Sequence, residues 1–358
     1  MDTNETLVTE VPETTNRKLA SIQKILDIQP IAGADAIEVA TVLGWKVVVG
    51  KKDNFKVGDL IVYCEIDSIL PDKPEYEFLR AKHFRIKTIK LRGQISQGIV
   101  FPLTVLPQHL QEQFANCTET DKLLGIDVTE TLGITKYEIY VPANLRGQIK
   151  GNFPSFLHKT DETRIQAAPD VLTRHNGKRF FVTEKVDGTS FTAYLRNGEF
   201  GICSRNLELK LEDDTIYCRM AKELNLSERL ARVGKNIAIQ GELIGQGIQK
   251  NKYGLSNVQL KLFNVFDIDL GRYAAQDEFL KTAALLELET VPNVLTLELD
   301  NTTVDALVEL SKGFSLLNPK TPREGLVFRP EIETYDPDLK GRLSFKVINP
   351  EFLLKYDE

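Results

Sequence analysis

The run FFVTEKVDGTSFTAYLRNGEF, residues 180–200, sets Lys185 directly after Glu184, two residues before Asp187 and three before Gly188. An amine between two carboxylates, at a turn between two apolar runs, is either a surface charge pair or a nucleophile. A lysine amine attacks only in its neutral form. Neighbouring carboxylates favour the charged form, so Glu184 and Asp187 alone argue against attack. A divalent cation held by carboxylates reverses that field. The nucleophile reading therefore demands further acids at strand ends, and the chain supplies them. NIAIQGELIG places Glu242 after an apolar strand and next to Gly241, and PREGLVFRP places Glu324 before Gly325 at the start of another strand. LSFKVIN sets Lys346 within an otherwise apolar strand, and LFNVFDID puts Phe266 beside Asp267 at the end of a fourth. Each has a plainer reading when taken singly: a solvated turn acid, a lysine snorkelling from an edge strand, a core phenylalanine.

The elements that must position these groups read as strands at 180–184, 189–195, 199–204, 236–244, 258–266, 325–329 and 343–348, with helical stretches at 213–234, 275–290 and 303–314. Asn197-Gly198 is a two-residue hairpin signal, because both residues tolerate positive φ. Strands with inserted helices and hairpins indicate an antiparallel-rich α+β domain. GxGxxG and GxxxxGK[ST] are both missing, so neither a Rossmann nor a P-loop phosphate site is indicated. Upstream, from about residue 17 to 140, short β-rich runs such as Trp45–Val49 and Leu60–Ile66 are broken by Gly, Asp and Pro, the pattern of a small β-barrel. Within it, HFRIKTIKLRGQISQGIV carries Arg85, Lys87, Lys90 and Arg92. A bulge near Thr88 would bring all four to one face, with Ile86, Ile89 and Leu91 inward. Such a strip is either a solvated strand face or a track for nucleic-acid phosphates. The organisation expected is a disordered tail at 1–16, the barrel at 17–140, a linker region at 141–169 and a second domain at 170–358.

A 358-residue chain with 42% hydrophobic and 27% charged residues suits two soluble domains. No apolar run approaches a membrane span of roughly 20 residues, and the polar N-terminus lacks a leader pattern, so a cytoplasmic location is expected. Four scattered cysteines and four histidines form no zinc pattern. A net charge of −6 opposes indiscriminate nucleic-acid coating but permits a local basic groove.

Taken in order, EKVDG, CSRN, QGELIG, FNVFDI, EGLVF and SFKVIN resemble the six motifs of the covalent nucleotidyltransferase superfamily, over roughly residues 180–349. DNA ligases and capping enzymes of that superfamily place an OB-fold domain after the last motif, whereas here the strand-rich module lies upstream. The arrangement resembles the ATP-dependent RNA ligase clade with an N-terminal OB-like domain and an antiparallel-rich, ATP-grasp-like adenylyltransferase domain. That resemblance implies Lys185 as the nucleophile that takes AMP from ATP. It implies Asp187, Glu242 and Glu324 around Mg²⁺ or Mn²⁺, Lys346 on the α-phosphate, Arg205 on the ribose, Phe266 on the adenine face and Glu184 at the purine edge. The substrates implied are RNA ends, in particular nicked duplexes, with no membrane and no obligate protein partner. One departure stands out: Ser344 occupies the position where RNA ligases often carry the first lysine of a KxK pair, with Arg342 the nearby cation. A DNA ligase, a capping-type guanylyltransferase and a non-catalytic RNA-binding relative are the alternatives.

Overall fold

A computed structural model describes residues 18–137 and 147–356. The expected tail at 1–16 lies outside the described residues, as do 141–146 of the expected linker. The chain divides into two compact units, residues 1–42 with 46–138, and residues 43–45 with 139–358.

The first unit is built on a five-stranded sheet in the order Trp45–Gly50, Ile37–Val42, Ala20–Pro30, Leu60–Cys64, Ile99–Pro102. Leu60–Cys64 pairs antiparallel with both Ala20–Pro30 and Ile99–Pro102, and its residues 61–64 are fully buried, as expected for a central strand. The bulge foreseen near Thr88 does not form. The chain turns instead at His83 and Phe84, and a separate two-strand ribbon follows, Ile89–Leu91 against Gln94–Ser96. Its turn is Arg92-Gly93, both at positive φ, as a two-residue hairpin needs. Ile89 and Leu91 are therefore exposed rather than inward, because the ribbon pairs with itself and not with the main sheet. Arg85 is half-buried: its guanidinium lies 3.6 Å from the centre of the Tyr137 ring and 3.1 Å from Asp67. Lys90 and Arg92 are exposed.

The second unit has two large sheets. The seven-stranded sheet runs Ile149–Asn152, Leu207–Leu209, Glu199–Cys203, Thr189–Arg196, Ile237–Ile244, Gln259–Asp267, Arg272–Tyr273. The five-stranded sheet runs Thr163–Arg164, Phe345–Ile348, Gly325–Pro330, Arg179–Lys185, Asn293–Glu298. The stretch 147–169, read from sequence as linker, thus adds an edge strand to each sheet. Its strand character comes from its partners, Leu207–Leu209 and Phe345–Ile348, and not from its own periodicity.

Alternation decides what each sheet buries. On Arg179–Lys185, Phe180 and Val182 join a core with Leu326, Phe328, Phe345 and Val347. The Phe328 and Phe345 rings stack at 5.0 Å between centroids, worth about 0.5–1.5 kcal/mol beyond their buried area. On Ile237–Ile244, Ile237, Ile239 and Leu243 pack against the helices Ile216–Glu223, Leu226–Ala231 and Gln276–Leu285. The residues left over face a cleft between the sheets: Phe181, Thr183 and Lys185 from one, Ala238, Gln240 and Glu242 from the other. A cavity lined by Phe181, Thr183, Phe263, Asn264 and Arg329 joins the two faces.

Candidate active site

Lys185 ends its strand, and Asp187-Gly188 make the turn into Thr189–Arg196. Glycine at 188 answers to close approach, because a Cβ there would lie 2.2 Å from the Leu243 carbonyl oxygen. The same holds for Gly325 after Glu324, where a Cβ would lie 2.3 Å from the Val347 oxygen. These glycines let neighbouring strands close around the acids. The Lys185 ammonium donates to Glu324 Oε1, while Glu324 Oε2 is buried without a hydrogen-bond partner. Glu242, opposite Ser190 in the strand register, acts on the same amine through its charge. Asp187 accepts from Lys252 Nζ at 2.6 Å, and its backbone N–H donates to the Tyr253 hydroxyl at 2.7 Å.

Lys346 stands two strands from Lys185, beside Val327 and next to Arg164 in register. Its ammonium donates to Asp161 Oδ1 at 2.8 Å, and Arg205 donates to the other oxygen of that carboxylate at 3.2 Å. Ser344 is buried, its hydroxyl 3.4 Å from Glu162, which also receives Arg329. Arg342 does not replace the missing lysine. It is engaged by Glu333 and Asn264 and lies 4.1 Å from the centre of the Tyr273 ring. The further cation near Lys346 is Arg164, in the stretch read as linker, which sequence reasoning passed over.

Glu184 is 1% exposed. One oxygen accepts the Leu316 N–H at 2.8 Å, and the other is buried without a partner. Phe266 is buried on the same sheet face as Ala238 and Gln240: it is 2% exposed, 5.0 Å from the Tyr273 ring and packed with Leu157, Tyr194 and Ala238. A register shift between Gln240 and Gly241 makes Phe263 the extra residue of its strand, and Phe263 lines the cavity.

A family model described as RNA ligase matches residues 178–348, and one described as an OB-fold domain matches residues 19–103. The structure of Naegleria gruberi RNA ligase with PPi is 37% identical, covers 96% of this chain and 99% of its own, and superposes with a TM-score of 0.83. The chain is a member of the RNA ligase family. A variant of the Naegleria RNA ligase with ATP and Mn matches at 36% identity, over 96% of this chain and all of that one, with a TM-score of 0.84. Another, with AMP and Mn, matches at 37%, 95%, 99% and 0.83 in the same order. Among curated proteins nothing matches.

In this RNA ligase the site is crowded with negative charge. Burial pushes the Glu242 carboxyl up to about 8, with Glu324 and Asp187 adding to the rise against Lys185. Asp187 is pushed up to about 6 by burial and by Glu324, against Lys252 and Lys185. Burial draws the Lys185 pKa down, but Glu324, Glu242 and Asp187 outweigh it and hold the ammonium above its ordinary value. Lys346 moves the other way. Burial lowers its pKa against Asp161, and Lys185 and Arg164 lower it further. Among the described residues no three His, Cys, Asp or Glu side chains stand together as a direct chelate. None of the described helices is long and apolar enough to cross a membrane.

Proposed function

We propose that this RNA ligase consumes ATP to charge Lys185 with AMP and then joins RNA 3′-OH and 5′-phosphate ends, sealing nicks in RNA repair. The observation that carries this reading is the cleft-facing Lys185 amine held against Glu324, with Glu242 and Asp187 close enough to shift its protonation. The ammonium first gives up a proton to solvent, the neutral nitrogen attacks the α-phosphorus, a P–N bond forms as the bond to pyrophosphate breaks, and the nitrogen releases a second proton to leave the phosphoramidate. The lysyl–AMP then yields AMP to the RNA 5′-phosphate, and the 3′-OH displaces AMP to form the phosphodiester. Such transfers depend on in-line positioning and charge neutralisation.

Three acids around one ammonium, one of them with a buried unpartnered oxygen, fit a divalent cation held through water rather than by a closed chelate. Bound there, Mg²⁺ or Mn²⁺ supplies positive charge at the α-phosphate and favours the neutral amine. Asp187, Glu242 and Glu324 are the residues that would hold it, through its water shell. The Naegleria ligase variants with ATP or AMP and Mn support both groups. Lys346 and Arg164 supply cations to the phosphates, and Arg205 supplies the ribose contact. Both Lys346 and Arg205 would have to exchange Asp161 for the nucleotide. Phe263 offers its ring to the base, and the free Glu184 oxygen accepts from an exocyclic amino group.

That last point separates ATP from GTP, since guanine presents a carbonyl where adenine presents an amine. Incubation with α-labelled nucleotide should give labelled protein, stable to alkali and labile to hot acid as a phosphoramidate is, from ATP and about 10⁴-fold less from GTP, as expected when a buried acceptor is left unpaired. A nicked RNA duplex should then be sealed. Label from GTP alone would favour a capping-type enzyme, sealing confined to nicks with a deoxyribose 3′-OH strand would favour a DNA ligase, and no label at all would favour a non-catalytic relative.

The ribbon at residues 89–96, with Lys90 and Arg92 exposed and Lys87 just before it, is our proposed contact for the RNA duplex. Arg85 is already engaged by Asp67 and Tyr137. Exchanging both Lys90 and Arg92 for alanine should reduce the salt slope of RNA binding by about 1.5–2 while leaving self-adenylylation unchanged. An unaltered slope in a filter-binding series would assign the ribbon no phosphate contact.

A further inference from the structure

The turn that carries Asp187 is gripped from one side by a single loop, residues 245–258. Within two residues the loop fixes both the side chain and the backbone of Asp187: Lys252 Nζ donates to Oδ2 at 2.6 Å, and the Tyr253 hydroxyl accepts the Asp187 N–H at 2.7 Å. A third bond, from Gln249 Nε2 to the Gly188 carbonyl at 3.3 Å, completes the hold. The loop reaches this shape through three successive non-glycine residues in the left-handed region, Gln249, Lys250 and Asn251. Such a run is sterically disfavoured and persists only where surrounding contacts over-determine it. Those contacts are present: the Thr321 hydroxyl donates to the Lys252 carbonyl, Asn318 Nδ2 donates to the Tyr253 carbonyl, and Asn251 closes on Leu255 through two hydrogen bonds.

Lys252 is the unusual member. Its side chain is only 5% exposed, and its ammonium lies 4.7 Å from the ring centre of Phe352 and 4.6 Å from that of Tyr356, both on the helix Pro350–Tyr356. An aromatic face attracts a desolvated cation, so the two rings hold the amine while its charge is directed at one carboxylate. For stability alone, apolar residues of similar volume often serve as well as a buried ion pair. A buried lysine kept on the acid of the KxDG turn therefore asks for a reason in that acid's own task.

We infer that Lys252 is a positioning residue for self-adenylylation: it fixes the Asp187 carboxylate in its working direction and is itself held by Phe352 and Tyr356. The inference rests on the ligase reading above. It ties the chemical step to the helix Pro350–Tyr356, which contributes no group to the reaction itself. Lys252 acts only through Asp187, so its effect must vanish when Asp187 can no longer play its part.

A double-mutant cycle tests this, with Lys252→Met, Asp187→Asn and the pair, each checked for an unchanged near-ultraviolet circular dichroism spectrum. Lys252→Met should slow single-turnover labelling by about 10–100-fold at saturating ATP and Mn²⁺, the range for outer partners of ligating groups, with KM for ATP within about threefold. In the Asp187→Asn background the same substitution should cost less than about twofold, because the two act as one unit. Lys252→Arg, which keeps the charge, should recover most of the rate. Mn²⁺ binding without ATP, followed by electron paramagnetic resonance of the free ion, should weaken in Lys252→Met and show the same non-additivity. Full rate in Lys252→Met, or losses that multiply in the double variant, would overturn the inference. Should Lys252→Met fail to fold, Phe352→Leu with Tyr356→Leu keeps the apolar volume and removes the rings, and the same cycle decides. A wild-type protein that takes no label would sink the ligase reading instead, and the Mn²⁺ cycle would then judge Lys252 by itself.

Discussion

Lys185→Met is expected to abolish covalent labelling by ATP, to less than about 10⁻⁴ of the wild-type rate, a rise of more than about 5 kcal/mol in barrier height. Methionine is close to lysine in length and apolar volume, so the strand Arg179–Lys185 and its core partners should remain in place. What disappears is the nitrogen positioned against Glu324 within reach of Glu242. The informative comparison is a later step. An RNA strand already carrying 5′-AMP no longer needs the amine as a nucleophile. The variant should therefore seal a pre-adenylylated nick at a rate far above its labelling rate, since the proposed phosphate cations, Lys346 and Arg164, are untouched. Persistent labelling of Lys185→Met would move the nucleophile to another residue. Loss of sealing on the pre-adenylylated strand would mean that the ammonium also works as a cation in the closing step.

Sequence and structure agree best where the information is local. The seven strands read from residues 180–348 appear within one or two residues of their expected ends, because each is a buried apolar run bounded by Gly, Asn or Asp. The acids at 187, 242 and 324 were legible for a related reason: each adjoins a glycine that a strand crossing requires. Where the determinant lies elsewhere in the chain, the pattern was silent. Asn293–Glu298 is an edge strand with no buried residue, so it offers no apolar stripe to read. The helical stretch 213–234 is two helices, broken where Asn225 turns left-handed at φ 49°, a conformation asparagine tolerates. The place of Phe263 in the cavity lining turned on a bulge against Gln240-Gly241, visible only once the strands are paired. Arg164 and Lys252 belong to short or irregular segments whose partners, at Lys346 and Asp187, are far away in sequence.

The second large effect is expected at Glu324, where two consequences of opposite sign compete. Glu324 is the leading group that raises the Lys185 pKa. Lysine's ordinary value is about 10.4, so at pH 7.5 fewer than about one amine in 10³ is neutral, and the labelling rate at low Mn²⁺ should climb about tenfold per pH unit between 6.5 and 9. Glu324→Ala lets burial act unopposed by that charge, lowers the Lys185 pKa, and should flatten the climb at its alkaline end. A shift of one pKa unit increases the neutral amine by no more than about tenfold. Against that gain stands the loss of a carboxylate with one buried, unpartnered oxygen, which the proposed cation's water shell would use. Losing charge stabilisation at a reacting phosphate costs about 10²–10³-fold. That loss outweighs the gain in neutral amine, so Glu324→Ala should label about 10–100-fold more slowly at pH 7.5 with saturating Mn²⁺, and Glu242→Ala should also be slow. The variants differ in pH response, since Glu242 contributes less than Glu324 to the Lys185 shift and its removal should leave the climb closer to wild type. Glu324→Ala that labelled as fast as wild type at pH 7.5 would make Glu324 a counter-ion to Lys185 and nothing more, and the acid that serves the phosphate would have to be Glu242.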